Sequence, residues 1–174
     1  MDFYKVIQTR RSVRAYKKTP IPKETLNKIL EATRIAPSGG NRQPWKFVIV
    51  KNKALKQKMA VACNNQKFVA EAPIVIVALA KKLAINVGGY MGKMSTIMDT
   101  TIAFTHLILA ARAEGVGTCW IGAFDNEQVK QLLNIPQEYN VAAITPLGYP
   151  TKKDAFTKHK GRKALNEIIS RNKF

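Results

Sequence analysis

Seven consecutive apolar residues, Ile74 to Ala80, follow Pro73 near the middle of this 174-residue chain. The run is far short of the roughly 20 residues a membrane-spanning helix needs. Its β-branched content instead marks a strand. Such a strand is apolar on both faces, so it belongs at the centre of a sheet and needs cover on each side. That requirement limits the chain to layered architectures.

The flanking sequence supplies the cover. A short helix is expected over Asp2–Thr9, with Phe3, Val6 and Ile7 on one face. Pro22 suits the first turn of a second helix, in which Leu26, Ile29, Leu30 and Thr33 keep helical spacing to about Arg34. Residues 36–44, APSGGNRQP, read as a loop, and 45–50, WKFVIV, as a strand. An amphipathic helix is expected over 54–62, and an irregular Gly-rich segment over 81–93. The longest helix is expected from Ser95 to Glu114, with Gly115 ending it. Residues 117–121 (GTCWI) and 141–147 read as strands. Between them Asp125 and Gln128 open a capping-box helix to Leu133. A last short helix is expected over 163–171. Helices and strands alternate without a clean βαβ period. The expectation is therefore a three-layer α+β fold in one domain, 1–174, rather than a doubly wound sheet.

Charge is the next constraint. Lys and Arg number 29 against 11 Asp and Glu, a net charge of +18. Residues 1–58 carry +12, residues 59–149 none, and residues 150–174 carry +6. Such a field attracts polyanions, and a basic nucleic-acid-binding module must be considered. That module would interleave exposed aromatics with its arginines, but Tyr16 is the only aromatic near the main cluster. Most of the 21 lysines are read as solvated faces. Arginine is scarcer, and three of the eight fall at Arg10, Arg11 and Arg14. A second trio, Lys160-Gly161-Arg162, sits near the C-terminus. Two separated basic clusters of this kind could converge on one phosphorylated ligand.

Other chemistries find no support. The two histidines, His106 and His159, lie in no metal-ligand spacing, so no metal site is expected. There is no Gly-x-Ser-x-Gly and no Cys paired with His. A phosphate loop around Gly92-Lys93 fails because Val87 and Met94 occupy required positions. With Cys63 and Cys119 in apolar surroundings and no signal-peptide core, a reducing cytoplasm is the expected compartment.

Five segments, in order, resemble the FMN-dependent nitroreductase family over essentially the whole chain. They are RRSVRAY (10–16), APSGGNRQPWKFVIV (36–50), EAPIVIV (71–77), MDTTIAFTHLILAARAEGVGTCWIGAF (98–124), and LGYP (147–150) with KGR (160–162). The resemblance implies a central, mostly antiparallel mixed sheet flanked by helices, in an intertwined homodimer with FMN in the interface. It implies that Arg10, Ser12 and Arg162 bind the FMN phosphate with Lys160 in support, that Arg11 also belongs to the cofactor site, and that Arg14 lies near the N1–O2 edge. Pro37, Ser38 and Asn41 would come from the second subunit. Asn64, with Gln66 or Lys67, would reach the pyrimidine edge, and the backbone of Gly122 and Ala123 would face flavin N5.

FMN carries the hydride chemistry in such a protein, so no catalytic side chain is required, and Arg14 and the Gly122 backbone would tune it. The implied reaction takes hydride from NADH or NADPH. It passes two electrons, by a ping-pong course, to a nitroaromatic, a quinone or a similar small planar acceptor. Neither a specific nucleic acid nor a membrane is implied as partner. Another family reaction on the same flavin, or an FMN-binding protein without turnover, remains the alternative.

Overall fold

The two-faced strand predicted above is the axis of the molecule. A computed structural model describes residues 1–83, 89–157 and 161–174. Strand β2 (Ile74–Lys81) lies between β1 (Trp45–Val50) and β4 (Tyr139–Gly148). The two-residue β3 (Gly117–Thr118) pairs with the end of β4, giving the order β1-β2-β4-β3. All named strand pairs are antiparallel, and an isolated bridge between Ser12 and Thr118 adds a parallel pairing.

Alternation along β2 builds the layers. Val75, Val77 and Leu79 face one core with Met59, Val69, Val129 and Ile135, from α3 (Lys53–Ala62), α4 (Phe68–Glu71) and the region of α6 (Asn126–Leu132). Ile74, Ile76 and Ala78 face a second core with Leu26, Ile29, Phe104 and Leu107, from α2 (Lys23–Arg34) and α5 (Gly89–Ala113). Truncating a buried Leu, Ile or Met among these to Ala would cost about 2–5 kcal/mol. A bulge breaks the register on β4, where Ala78 faces Ala143 but Leu79 faces Val141. The extra residue, Ala142, explains how Val141 and Ile144 can share one face although their numbers differ by an odd count.

Several element boundaries differ from expectation. Helix α5 begins at Gly89, six residues before the predicted Ser95. The Ser95 hydroxyl does not cap; it donates back to Gly92 O at 3.1 Å, as Thr100 and Thr105 do to carbonyls four residues earlier. At the other end Gly115 takes φ 72°. Its N–H reaches Arg112 O, and the Val116 N–H reaches Ala111 O, a Schellman stop. By length and composition α5 could cross a membrane, yet its buried face packs into the core. Strand β3 ends early because Cys119 N–H turns to Thr145 Oγ1, and the chain rejoins the sheet only at the bridge Ile121–Ile144. The helix expected over 163–171 is a single 3-10 turn, Leu165–Glu167, with every side chain exposed. Its apolar residues find no core surface, so tertiary packing does not stabilise a longer helix. Helix α4 was not foreseen, since four residues give no periodicity.

Candidate functional site

The arginine-rich segment after α1 (Phe3–Thr9) is held flat against the sheet. Val13 N–H donates to Thr118 O at 2.8 Å, and Lys17 N–H to Tyr149 O at 2.8 Å. Thr151 N–H returns to Ala15 O at 3.2 Å. Two glycines permit this approach. A Cβ on Gly117 would stand 2.8 Å from Val13 Cγ2, and one on Gly148 would stand 3.1 Å from Tyr16 Cδ1 and 2.7 Å from Pro73 Cδ. The buried Tyr16 hydroxyl donates to Val13 O and closes the turn.

The result is an open cavity of about 440 Å³. Arg11 through Ala15 form one wall, and Pro150, Thr151, Lys152, Ala155 and Thr157 the other. Among the described residues three cations and three hydroxyls thus line it, and none of the lining residues is acidic. Arg10 sits just before this wall. Its pKa is lowered first by burial and then by the nearby Arg162 and Arg11 guanidiniums. Arg162 of the second basic cluster is therefore near enough to Arg10 for their charges to repel. Like charges gathered in a partly dry site destabilise the empty protein and suit a bound anion. The Arg11 guanidinium also donates to Gln8 O and Arg10 O, where it satisfies carbonyls at the end of α1. Lys160 and His159 lie outside the described residues.

The other predicted residues occupy two separate places. Pro37, Ser38 and Asn41 belong to a loop pinned on α5, where Asp99 Oδ1 accepts the Gly39 N–H at 3.0 Å. Within it Ser38 Oγ accepts Gln43 N–H, and Asn41 Oδ1 accepts the Gln43 amide. Gly40, Asn41 and Gln43 all take positive φ. None of these residues lines the cavity beside Arg14. Asn64 and Asn65 also take positive φ, in the turn that ends α3. The Gln66 side-chain amide donates to Cys63 O, and Lys67 lines a separate shallow hollow. Asp125 N–H donates to Ala62 O at 2.8 Å, so the 122–124 turn lies beside the 63–66 turn. Gly122 and Ala123 are exposed, and a Cβ on Gly122 would meet only Trp120 Nε1, at 4.0 Å. The fold itself does not require glycine at that position.

Sequence reasoning missed the second wall, 150–157. The one available signal was Lys152 between two segments already singled out. His106 is a packing residue, its Nδ1 3.2 Å from Ala32 O on α2. Among the described residues no cluster of metal-ligating side chains occurs.

Fold and site define a three-layer α+β protein that presents a cationic cradle at one edge of its sheet. The chain belongs to the nitroreductase family: that family's sequence pattern matches residues 7–84 and 61–149. A protein of Archaeoglobus fulgidus, provisionally named NADH dehydrogenase/NAD(P)H nitroreductase, is 35% identical over 156 residues, covering 87% of each chain. The crystal structure of a nitroreductase family protein from Clostridium novyi NT superposes with TM-score 0.82 and 38% identity, covering 91% of this chain and 89% of that one. An FMN-dependent nitroreductase from Clostridium difficile R20291 superposes with TM-score 0.82 and 26% identity, covering 98% and 99%.

Proposed function

We propose that this chain is an FMN-dependent oxidoreductase using NADH or NADPH to reduce nitroaromatics, quinones or related planar acceptors. The observation that carries the reading is the approach of Arg162 to Arg10 and Arg11, beside a cavity whose described lining includes Ser12 and Arg14 and no acidic residue. That donor set fits a phosphate monoester: guanidinium forks for the oxygens, a hydroxyl between them, and no carboxylate to repel them. Arg10, Ser12 and Arg162 would hold the phosphate, with Arg11 and Lys160 adding positive charge. Arg14 would place a cation where negative charge develops on the ring system. When bound, FMN supplies two-electron hydride transfer, which explains why no histidine, triad or metal is needed. Donor and acceptor would use one pocket in turn, the donor product leaving before the acceptor enters.

We assign the working form as a homodimer. The outward face of α5 carries Met91, Met94, Met98 and Ile102, each 38–48% exposed and at helical spacing. A second apolar stripe on an already packed helix is costly in water and suits a second copy. The loop holding Pro37, Ser38 and Asn41 would then close the partner's site. Two buried free cysteines accord with the cytoplasm as its compartment.

The deciding measurement is an absorbance spectrum of the purified protein, repeated after anaerobic addition of NADH and then NADPH. Flavin bands that bleach support the reading and identify the donor. Persistent colour reduces it to a flavin binder, and protein that stays colourless after FMN is added overturns it. At position 122, Gly122→Val should leave thermal stability within about 0.5 kcal/mol, because its side chain meets open space. Turnover of planar acceptors should fall, since the branch would crowd the ring face. Unchanged steady-state kinetics would remove Gly122 from the site.

A further inference from the structure

Arg112 is a buried cation with an unusual set of neighbours. It lies in the last turn of α5, only 6% exposed. Its Nε–H donates to Thr9 Oγ1 at 3.0 Å, across 103 residues of sequence. Its guanidinium carbon sits 4.1 Å from the centre of the Phe156 ring. Burial lowers its pKa, and neither ion pair found among the described residues involves it. The carboxyl end of the helix and the aromatic face offset part of the desolvation. A leucine or methionine would fill the space without that cost, so stability alone does not account for the charge.

Its two partners explain the placement. Thr9 immediately precedes Arg10, and Phe156 adjoins Ala155 and Thr157 on the second cavity wall. Phe156 also packs with Val13 and Tyr16, which order the first wall. One planar guanidinium thus joins the rigid end of α5 to the segments that form both walls of the cationic cavity.

We infer that Arg112 is a positioning residue for the phosphate cradle, fixing the separation between the Arg10–Arg14 segment and the opposite cavity wall at 150–157. The inference rests on the FMN reading above. Its signature is selectivity: removing Arg112 should weaken binding of the flavin that carries a phosphate and spare the one that does not.

The test is a fluorescence titration of apo wild type, Arg112→Gln and Arg112→Lys with FMN and, separately, riboflavin. For Arg112→Gln, FMN binding should weaken by about tenfold, the scale on which supporting residues act on a binding site. Riboflavin binding should be unchanged. Lysine keeps the charge but not the planar fork, so Arg112→Lys should recover little. Full recovery by lysine would overturn positioning in favour of charge alone. Equal losses for both flavins, or no loss for either, would also overturn it. If either Arg112 variant fails to fold, Thr9→Val removes the acceptor, together with the hydroxyl's own bond to Lys5 O within α1, and should show the same FMN-selective loss, smaller in size. A flat Thr9→Val result would overturn the inference. Wild type that fails to prefer FMN over riboflavin would instead bring down the phosphate reading itself.

Discussion

Arg10→Ala protein is expected to purify nearly colourless, yet to be at least as thermally stable as flavin-free wild type. The two effects share one cause. In the empty site, burial and the neighbouring Arg162 and Arg11 charges disfavour the Arg10 cation. Removing it relieves that repulsion, so the apo melting temperature should hold or rise. Once a phosphate is present the same guanidinium contributes a charge-assisted hydrogen bond worth about 1.5–3 kcal/mol. Its loss corresponds to a roughly ten- to hundredfold weaker Kd for FMN. Calorimetric titration with FMN and scanning calorimetry of the apo protein would measure both. Arg10→Lys should fall between, because it keeps the charge and loses the two-pronged geometry. A lower apo melting temperature with intact FMN affinity would make Arg10 a structural residue.

That trade, stability given up where an anion is to be bound, was partly legible in the sequence. The clustering of Arg10, Arg11 and Arg14, and the separate basic patch ending at Arg162, were visible as composition. Their meeting depends on contacts between residues about 150 positions apart, which no local pattern encodes. The layered fold was more accessible. An apolar run without alternation needs cover on both faces, and Ile74 to Leu79 divide their side chains between two cores as that rule demands.

Failures have equally specific causes. Helix α5 starts six residues before the expected Ser95, whose hydroxyl bonds backward inside the helix instead of marking its first turn. The predicted helix over 163–171 has the right periodicity but no surface to pack on, so only Leu165–Glu167 forms a turn. Arg112 was passed over because it reads as one more charge on a helix. Only the fold brings Thr9 and Phe156 to it.

Gly117→Ala is the substitution expected to harm the fold and the site together. Gly117 does not take positive φ, so the penalty is one of space. The added Cβ would meet Val13 Cγ2 at 2.8 Å, Val13 Cβ at 2.9 Å and Val13 Cγ1 at 3.0 Å. Val13 cannot yield freely, because its own N–H is bonded to Thr118 O on the strand that carries Gly117. Overpacking of this kind costs about 1–3 kcal/mol. For a chain of this size each 1 kcal/mol lowers the melting temperature by about 2–4 °C. Lifting residues 12–14 from the sheet would relieve the overlap and open the wall bearing Ser12 and Arg14. Bound flavin per protein should therefore fall along with the melting temperature. Combining Gly117→Ala with Val13→Ala removes two of the three crowded atoms, so the double variant should be more stable than the two single effects sum to. Flavin content should recover in step. Additive losses in that cycle, or full flavin content in Gly117→Ala alone, would show that the close approach at Gly117 does not hold the arginine segment in place.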